Sequence, residues 1–270
     1  MADIEASTVA FIGCGAMGTG MMTALTRNGA LAPDQIIGAD VDAGRLRPLA
    51  DLGIATTDDA QAAVGSADVV LLAVKPQVLD AVMADIAGAV EGRLVISIAA
   101  GVPLARYAVA LGSETPVVRV MPNVLCVVGE AACAYSPNAA CSPDQIEFVA
   151  GLLDALGTAV LVDERLMDAV TGLSGSGPAF VAVFAEALID GGVAAGLPRT
   201  QAAKLAAQTL LGVGRWLQET GEAPAALKDM VTSPGGTTIA GLRALEDGGL
   251  RSAAIEAVIA AAERSRGLGS

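Results

Sequence analysis

The sequence predicts an α/β domain over residues 1–163 followed by an all-α domain over residues 164–270. Three observations carry this reading. Short β-branched runs alternate with helical patterns through the first 160 residues, the mark of βαβ units and a parallel sheet. A glycine-rich turn of the form G-x-G-x-x-G stands between the first strand pattern and the first helix pattern. Beyond Asp163 the strand patterns stop, and the segments read as helices punctuated by Gly, Pro and Ser.

Taken in order, residues 8–12, 35–39, 68–74, 94–98, 117–120 and 158–162 are rich in Val and Ile and, together with residues 131–135, predict strands. Residues 17–27, 43–52, 78–90, 104–111 and 143–156 repeat apolar side chains at helical spacing and predict the helices between them. In the second half, helices are predicted over 181–194, 199–219, 225–231, 238–246 and 250–266. Ser176, followed by Gly177 and Pro178, predicts an N-cap for the first of these, with proline in its opening turn. This half is too apolar for a lone helical layer, so it is expected to pack against a second copy of itself.

Composition excludes several classes of function. A formal charge of −13 leaves no Lys/Arg cluster to neutralise phosphates, so no nucleic-acid partner is expected. The chain has no histidine, and its four cysteines (Cys14, Cys126, Cys133 and Cys141) form no C-x-x-C pair, so no metal site is expected. Mean hydropathy is positive, yet the apolar run after Asp168 is interrupted by Gly172, Gly175, Gly177 and Pro178. No membrane partner is therefore expected. The acidic start, Met1 to Glu5, lacks a basic leader, and together with dispersed thiols this predicts a soluble cytoplasmic protein. Without histidine, proton chemistry falls to carboxylates, Lys, Tyr, hydroxyls or water.

The glycine turn reads Ile12-Gly13-Cys14-Gly15-Ala16-Met17-Gly18. Gly13 permits the tight turn, Gly15 lets backbone approach a pyrophosphate, and Gly18 lets the helix pack against the strand. In its strand–turn–helix context this predicts a Rossmann-like dinucleotide-binding domain. Asp40, about twenty residues further on, stands where an acid holds an adenosine ribose hydroxyl and favours NADH. Arg45 and Arg47 follow and are able to meet a 2′-phosphate, so NADPH and NADH both stay open. Ala73, Val74, Lys75 and Pro76 end a later strand, where open α/β sheets bind ligands; Lys75 either touches the cofactor or is simply solvated. Ile98, Ala99 and Ala100 end the next with small residues that leave space for a flat ring. Arg119 and Asn123 add polar groups at the same edge.

Residues 233–239, Ser233-Pro-Gly-Gly236-Thr237-Thr238-Ile239, feed two threonines into a helix start. Backbone N–H groups and hydroxyls converge there, which makes a site for a small carboxylate or, alternatively, a capped helix connection.

Together with Val170-Thr-Gly-Leu-Ser-Gly-Ser-Gly-Pro178, Asp190-Gly-Gly-Val193, Leu227-Lys-Asp229, Ala73-Val-Lys-Pro-Gln77 and Arg119-x-Met-Pro-Asn123, these motifs resemble the pyrroline-5-carboxylate reductase family over almost the whole chain. The resemblance implies NAD(P)H-dependent reduction of the cyclic imine 1-pyrroline-5-carboxylate to L-proline, the last step of proline biosynthesis. It also implies an all-α dimerisation domain that exchanges helices with a partner, and dimers gathered into larger homo-oligomers. By position it implies substrate contacts from Glu164, Thr237 and Thr238, alongside Ser233 and Gly236 of the same turn. Cofactor contacts are implied from Ile12 to Met17, Ala73 to Pro76 and Ile98 to Ala100. Thr238 is the implied catalytic hydroxyl, donating to the imine nitrogen. Ala223, Met230 and the Asp59-Ala60 pair depart from the family pattern.

Three rival readings are weighed beside it. A reductase of another cyclic imine would carry the same motifs. An enzyme like the β-hydroxyacid dehydrogenases needs a basic residue at the start of the long helix, and residues 172–183 contain no Lys or Arg. A non-catalytic nucleotide-sensing module would be expected to lose the 233–239 motif, which is intact.

Overall fold

A computed structural model describes residues 7–267. The chain divides into two compact units, one formed by residues up to Ser176 together with the chain from Ala260 onward, the other by Gly177–Ile259. The last sheet strand ends at Leu161, close to the boundary that the sequence places at Asp163, and packing groups the next helical turns with the sheet unit.

The first unit is built on eight strands, β1 (Val9–Ile12), β2 (Ile36–Ala39), β3 (Ala55–Thr57), β4 (Val69–Leu72), β5 (Leu94–Ser97), β6 (Val117–Met121), β7 (Ala131–Pro137) and β8 (Gly157–Leu161), in the order β3-β2-β1-β4-β5-β6-β7-β8. Helices α1 (Ala16–Arg27), α2 (Ala43–Ala50), α3 (Ala60–Gly65), α4 (Pro76–Ile86), α5 (Leu104–Leu111) and α6 (Pro143–Asp154) connect them. The chain reverses its direction of winding between β1 and β4, so a crevice opens beyond their carboxyl ends.

Strand periodicity explains the continuous burial of the central strands. Val9, Phe11, Val69, Leu71, Leu94 and Ile96 point into one core, while Ala10, Ile12, Val70, Leu72 and Val95 point into the other. Each fully buried Phe or Leu among them contributes about 1.5–3 kcal/mol. The sheet therefore holds the β1 and β4 ends rigidly, and those ends carry the glycine turn and the segment from Ala73 to Pro76.

Two features of the sheet and its connections differ from the sequence expectation. β3 and α3 were not foreseen: β3 is three residues long at the sheet edge with no buried side chain, too short for a periodic signal. Asp59 nevertheless caps α3 by accepting from the Ala62 N–H at 3.0 Å. Second, β7 runs antiparallel to β6 in a sheet otherwise parallel. Residues 122–130 between them are too few for a crossover, which takes roughly a dozen residues or more.

After a short helix α7 (Met167–Val170), the chain makes a π-helical turn over Thr171–Gly175. Ser176 forms a bend between this turn and the helix that begins at Gly177; its φ of −89° and ψ of −22° lie in the right-handed helical region, so it is not the extended N-cap that the sequence predicts. The Asn123 side chain donates to the Ser174 carbonyl at 3.1 Å and ties this turn to the end of β6.

The second unit consists of α8 (Gly177–Ala194), α9 (Arg199–Thr220), α10 (Pro224–Met230), α11 (Thr237–Asp247) and the larger part of α12 (Leu250–Arg266). Helices α8 and α9 approach closely at Gly192, where a Cβ would lie 3.1 Å from the Ala202 methyl. No residue of α8 is buried, and Val183, Leu205 and Ile255 are each more than half exposed. The helical stretch Glu164–Ala194 contains an 18-residue window of mean hydropathy 1.4 and is long and apolar enough by length and composition to cross a membrane.

Candidate active site

The glycine turn follows directly from the end of β1. Gly13 has φ +105° and its N–H donates to the Ala39 carbonyl at 2.8 Å; an added Cβ would sit 2.8 Å from the Ala73 carbonyl oxygen. Gly18 lies in the first turn of α1, where a Cβ would come within 2.2 Å of the Gly13 carbonyl oxygen. Gly15, the N-cap of α1, differs from both. Its φ is −71° and no atom lies within 4 Å of the Cβ position. Two glycines are thus demanded by the protein's own packing, whereas the third leaves space open at a helix N-terminus. That is the cradle that a pyrophosphate needs, and the residues present fit a dinucleotide.

A cleft of about 1080 Å³ opens beside this turn. Of the residues expected at the cofactor, Ile12, Gly13, Gly15 and Ala16 line it from the first strand and turn, and Ala73, Val74 and Lys75 line it from the end of β4. Asp40 and Arg45 line it from beyond β2. Cys14 instead offers its backbone N–H to Asp40 at 2.8 Å, with its side chain buried. Met17 packs against the core, and Pro76 opens α4 with exposed Lys75 as its N-cap. Ile98, Ala99 and Ala100 follow β5, next to β4 in the sheet; the Ile98 N–H donates to the Leu72 carbonyl at 3.1 Å.

Asp40 is far more engaged than its sequence position suggests. One carboxylate oxygen accepts from the Cys14 N–H at 2.8 Å and from Arg45 Nη1 at 3.3 Å, while the other accepts from the Asp42 N–H at 2.9 Å. Its side chain is only 5% exposed. Burial by itself would raise its pKa, but the Asp42 and Cys14 N–H groups and the Arg45 guanidinium outweigh it, and the net direction is downward. Stability from this ionised clasp is present above the ordinary carboxylate range and is lost as pH falls through the lowered folded value.

A second polar cluster lies behind the end of β5. Tyr107 and Ser97 are fully buried, and their hydroxyls are 2.6 Å apart. Burial pushes the Tyr107 phenol up to about 12, against the lowering effect of its Ser97 hydrogen bond, so it stays protonated. The Ser97 hydroxyl also accepts from the Ala99 N–H at 3.4 Å, which links the pair to the small-residue segment. Tyr107→Phe should lower stability by about 0.5–1.5 kcal/mol, the net value of one buried hydrogen bond. Equilibrium urea unfolding checks this, and an unchanged midpoint would contradict it.

Glu164, expected at the substrate, accepts from the Leu104 N–H at 2.6 Å, at the start of α5, and from Arg119 Nη1 at 3.2 Å. Arg119 is 8% exposed but the Glu164 side chain is 33% exposed, so this is a half-buried ion pair whose carboxylate also satisfies a helix N-terminus.

Ser233, Gly236, Thr237 and Thr238 belong to the second unit. Gly235 has φ +69°, the Gly236 N–H donates to the Ser233 carbonyl at 3.0 Å, and α11 begins at Thr237. Gly236 is the N-cap, with no side-chain cap bond, so neither threonine caps this helix. The N–H groups of the first turn, from Thr237 on, point out of the helix start without intrahelical partners. The Gly236 N–H is already used within the turn, which removes it from the set offered to a carboxylate. Sequence reasoning gave no cofactor role to Asp58, which lines the dinucleotide cleft together with Asp59. Asp58 gave no other sign than its place after the short β3, whereas Asp59 already stands out in the sequence as a departure from the family pattern.

Residues 164–268 match the family model described as pyrroline-5-carboxylate reductase dimerisation, and residues 8–101 match the one described as NADP oxidoreductase coenzyme F420-dependent. The pyrroline-5-carboxylate reductase of Methanosarcina acetivorans is 47% identical, across 98% of this chain and 99% of that protein. The Escherichia coli enzyme of the same name is 40% identical, across 96% and 97%. Among solved structures, a pyrroline-5-carboxylate reductase from Coxiella burnetii superposes with a TM-score of 0.92 at 34% identity, covering 98% of this chain and 99% of that one. The Plasmodium falciparum pyrroline carboxylate reductase, solved with NADP bound, gives 0.88 at 29% identity, covering 98% and 99%. With close relatives aligned from end to end, the chain belongs to the pyrroline-5-carboxylate reductase family.

Proposed function

We propose that the protein reduces 1-pyrroline-5-carboxylate to L-proline with NADH or NADPH, in the cytoplasm, as a homodimer within a larger homo-oligomer. The observation that carries the dinucleotide half of this reading is the contrast at the glycine turn, closed at Gly13 and Gly18 and open at Gly15. The reduced nicotinamide supplies the hydride that the imine carbon accepts. All other work falls to the chain. The start of α1 holds the pyrophosphate, and the rigid ends of β4 and β5 set the depth of the ring. At the start of α11, the Thr237 and Thr238 N–H groups hold the substrate carboxylate. The Thr238 hydroxyl donates a hydrogen bond to the ring nitrogen, where electron density accumulates as hydride reaches the carbon, and that nitrogen takes up one proton from water to become the secondary amine of proline. Orientation then provides much of the rate, and no imidazole is required.

An assay of NADH and NADPH oxidation with 1-pyrroline-5-carboxylate and its six-membered analogue tests this reading, alongside NAD⁺ reduction with a 3-hydroxy acid. Fastest turnover is expected with the five-membered imine. Preference for the six-membered ring would assign the protein to another cyclic imine, and turnover of the hydroxy acid would assign it to the dehydrogenase reading.

The uncovered faces of α8 and α9 support the dimer. We assign the uncovered helix α8 (Gly177–Ala194) to burial against a second subunit, since residues 164–268 match the family's dimerisation domain. Light scattering at micromolar concentration should return at least a dimer. A compact, active monomer would contradict the assignment.

A further inference from the structure

We infer that the cleft selects the dinucleotide that lacks a 2′-phosphate, with Asp58 and Asp59 carrying the selection while Asp40 clasps the glycine turn. This rests on the dinucleotide reading above. An ionised carboxylate has about four acceptor positions. On Asp40 two are filled on one oxygen, by Cys14 and Arg45, and one on the other, by Asp42. A single position remains, enough for one ribose hydroxyl.

Arg45, the cation nearest to that carboxylate, is not at liberty to balance a phosphate. It lies 3.3 Å from Asp40 and 3.4 Å from the carboxylate of Asp42. Beyond it the wall is acidic. Asp58, Asp59 and Asp85 line the same cleft, and among the described residues lining it the only cations are Arg45 and Lys75. Asp59 is held in place at both ends. Its N–H donates to the Thr57 hydroxyl at 3.1 Å, and its carboxylate caps α3 through the Ala62 N–H. It cannot swing aside without uncapping a helix. A phosphomonoester brings a charge of about −1.5 to −2 at neutral pH. Placed beside Asp59, with Arg45 already paired and Lys75 at the end of β4, two strands away from β2, that charge is repelled, whereas a free 2′-hydroxyl is accepted.

The test is direct binding of NADH and NADPH to the intact oligomer without substrate, followed by nicotinamide fluorescence at low and high salt. NADH should bind at least tenfold more tightly at low salt, and the gap should shrink as salt screens the carboxylates. Asp58→Asn and Asp59→Asn, the latter retaining a capping side chain, should each narrow the NADH-to-NADPH ratio roughly fivefold to tenfold. Glu147→Gln, exposed on α6, serves as the control and should leave the ratio alone. Equal or tighter NADPH binding by the unaltered protein would overturn the inference. So would a ratio that neither Asn variant moves. Failure to bind either dinucleotide would overturn the dinucleotide reading itself, and that outcome is distinct from binding without discrimination.

Discussion

Thr238→Ala should lower kcat about a hundredfold while leaving the melting temperature nearly unchanged. Loss of one donor that strengthens in the transition state typically costs about 2–4 kcal/mol. The structural alternative, a helix cap, would have lowered stability by about 1 kcal/mol instead. Gly236 occupies the cap position of α11, and Thr238 stands one residue inside the first turn. Alanine is the better helix former at such a position, so the folded state has little to lose. Thermal unfolding and steady-state kinetics on the same preparation separate the two roles. A Thr238→Ala protein with normal kcat would move the donor elsewhere, to an ordered water.

The second large effect is expected at the glycine turn, where two substitutions of the same size should fail in different ways. Gly18→Ala puts a methyl 2.2 Å from the Gly13 carbonyl oxygen, so α1 must move off the strand. Overpacking of this kind costs about 1–3 kcal/mol, and dinucleotide binding should vanish with the turn geometry. Gly15→Ala meets no atom within 4 Å and keeps an ordinary φ of −71°. Its melting temperature should be unchanged, whereas dinucleotide affinity should fall at least about tenfold, or 1.4 kcal/mol, because the methyl stands where the pyrophosphate must approach. Calorimetry and dinucleotide titration check both. A Gly15→Ala protein that binds normally would place the phosphates elsewhere.

The sequence made the glycine turn and most of the strand and helix alternation legible because both rest on local rules: glycine at positions that exclude a Cβ, and apolar side chains at period 2 or 3.6. What it hid depends on contacts between distant residues. β3 has three residues and no buried side chain, so it stands only because it pairs with β2. The direction of β7 is set by the length of one loop rather than by its own pattern, which would suit either orientation. Glu164 finds Arg119 across 45 residues of chain, and Asp40 finds the Cys14 N–H across 26. Asp40 could be placed at the end of a strand from sequence, but its use as a clasp could not. Ser176 misled for a related reason. A serine before Gly-Pro has the composition of a cap, yet it sits at a bend with right-handed helical dihedrals after the π-helical turn. The exposed faces of α8 and α9 were legible as an apolar excess, and the excess is real because a single chain leaves those faces uncovered.

The central claim is that a dinucleotide held at the glycine turn reduces the five-membered imine to proline. Its most direct test is a product balance: purified protein, NADH and 1-pyrroline-5-carboxylate, with NADH loss and L-proline gain measured in the same reaction. The account predicts one L-proline formed for each NADH consumed, with both rates falling together in Gly15→Ala and in Thr238→Ala. NADH bound by the folded oligomer but no proline formed, or NADH consumed without matching proline, would contradict it.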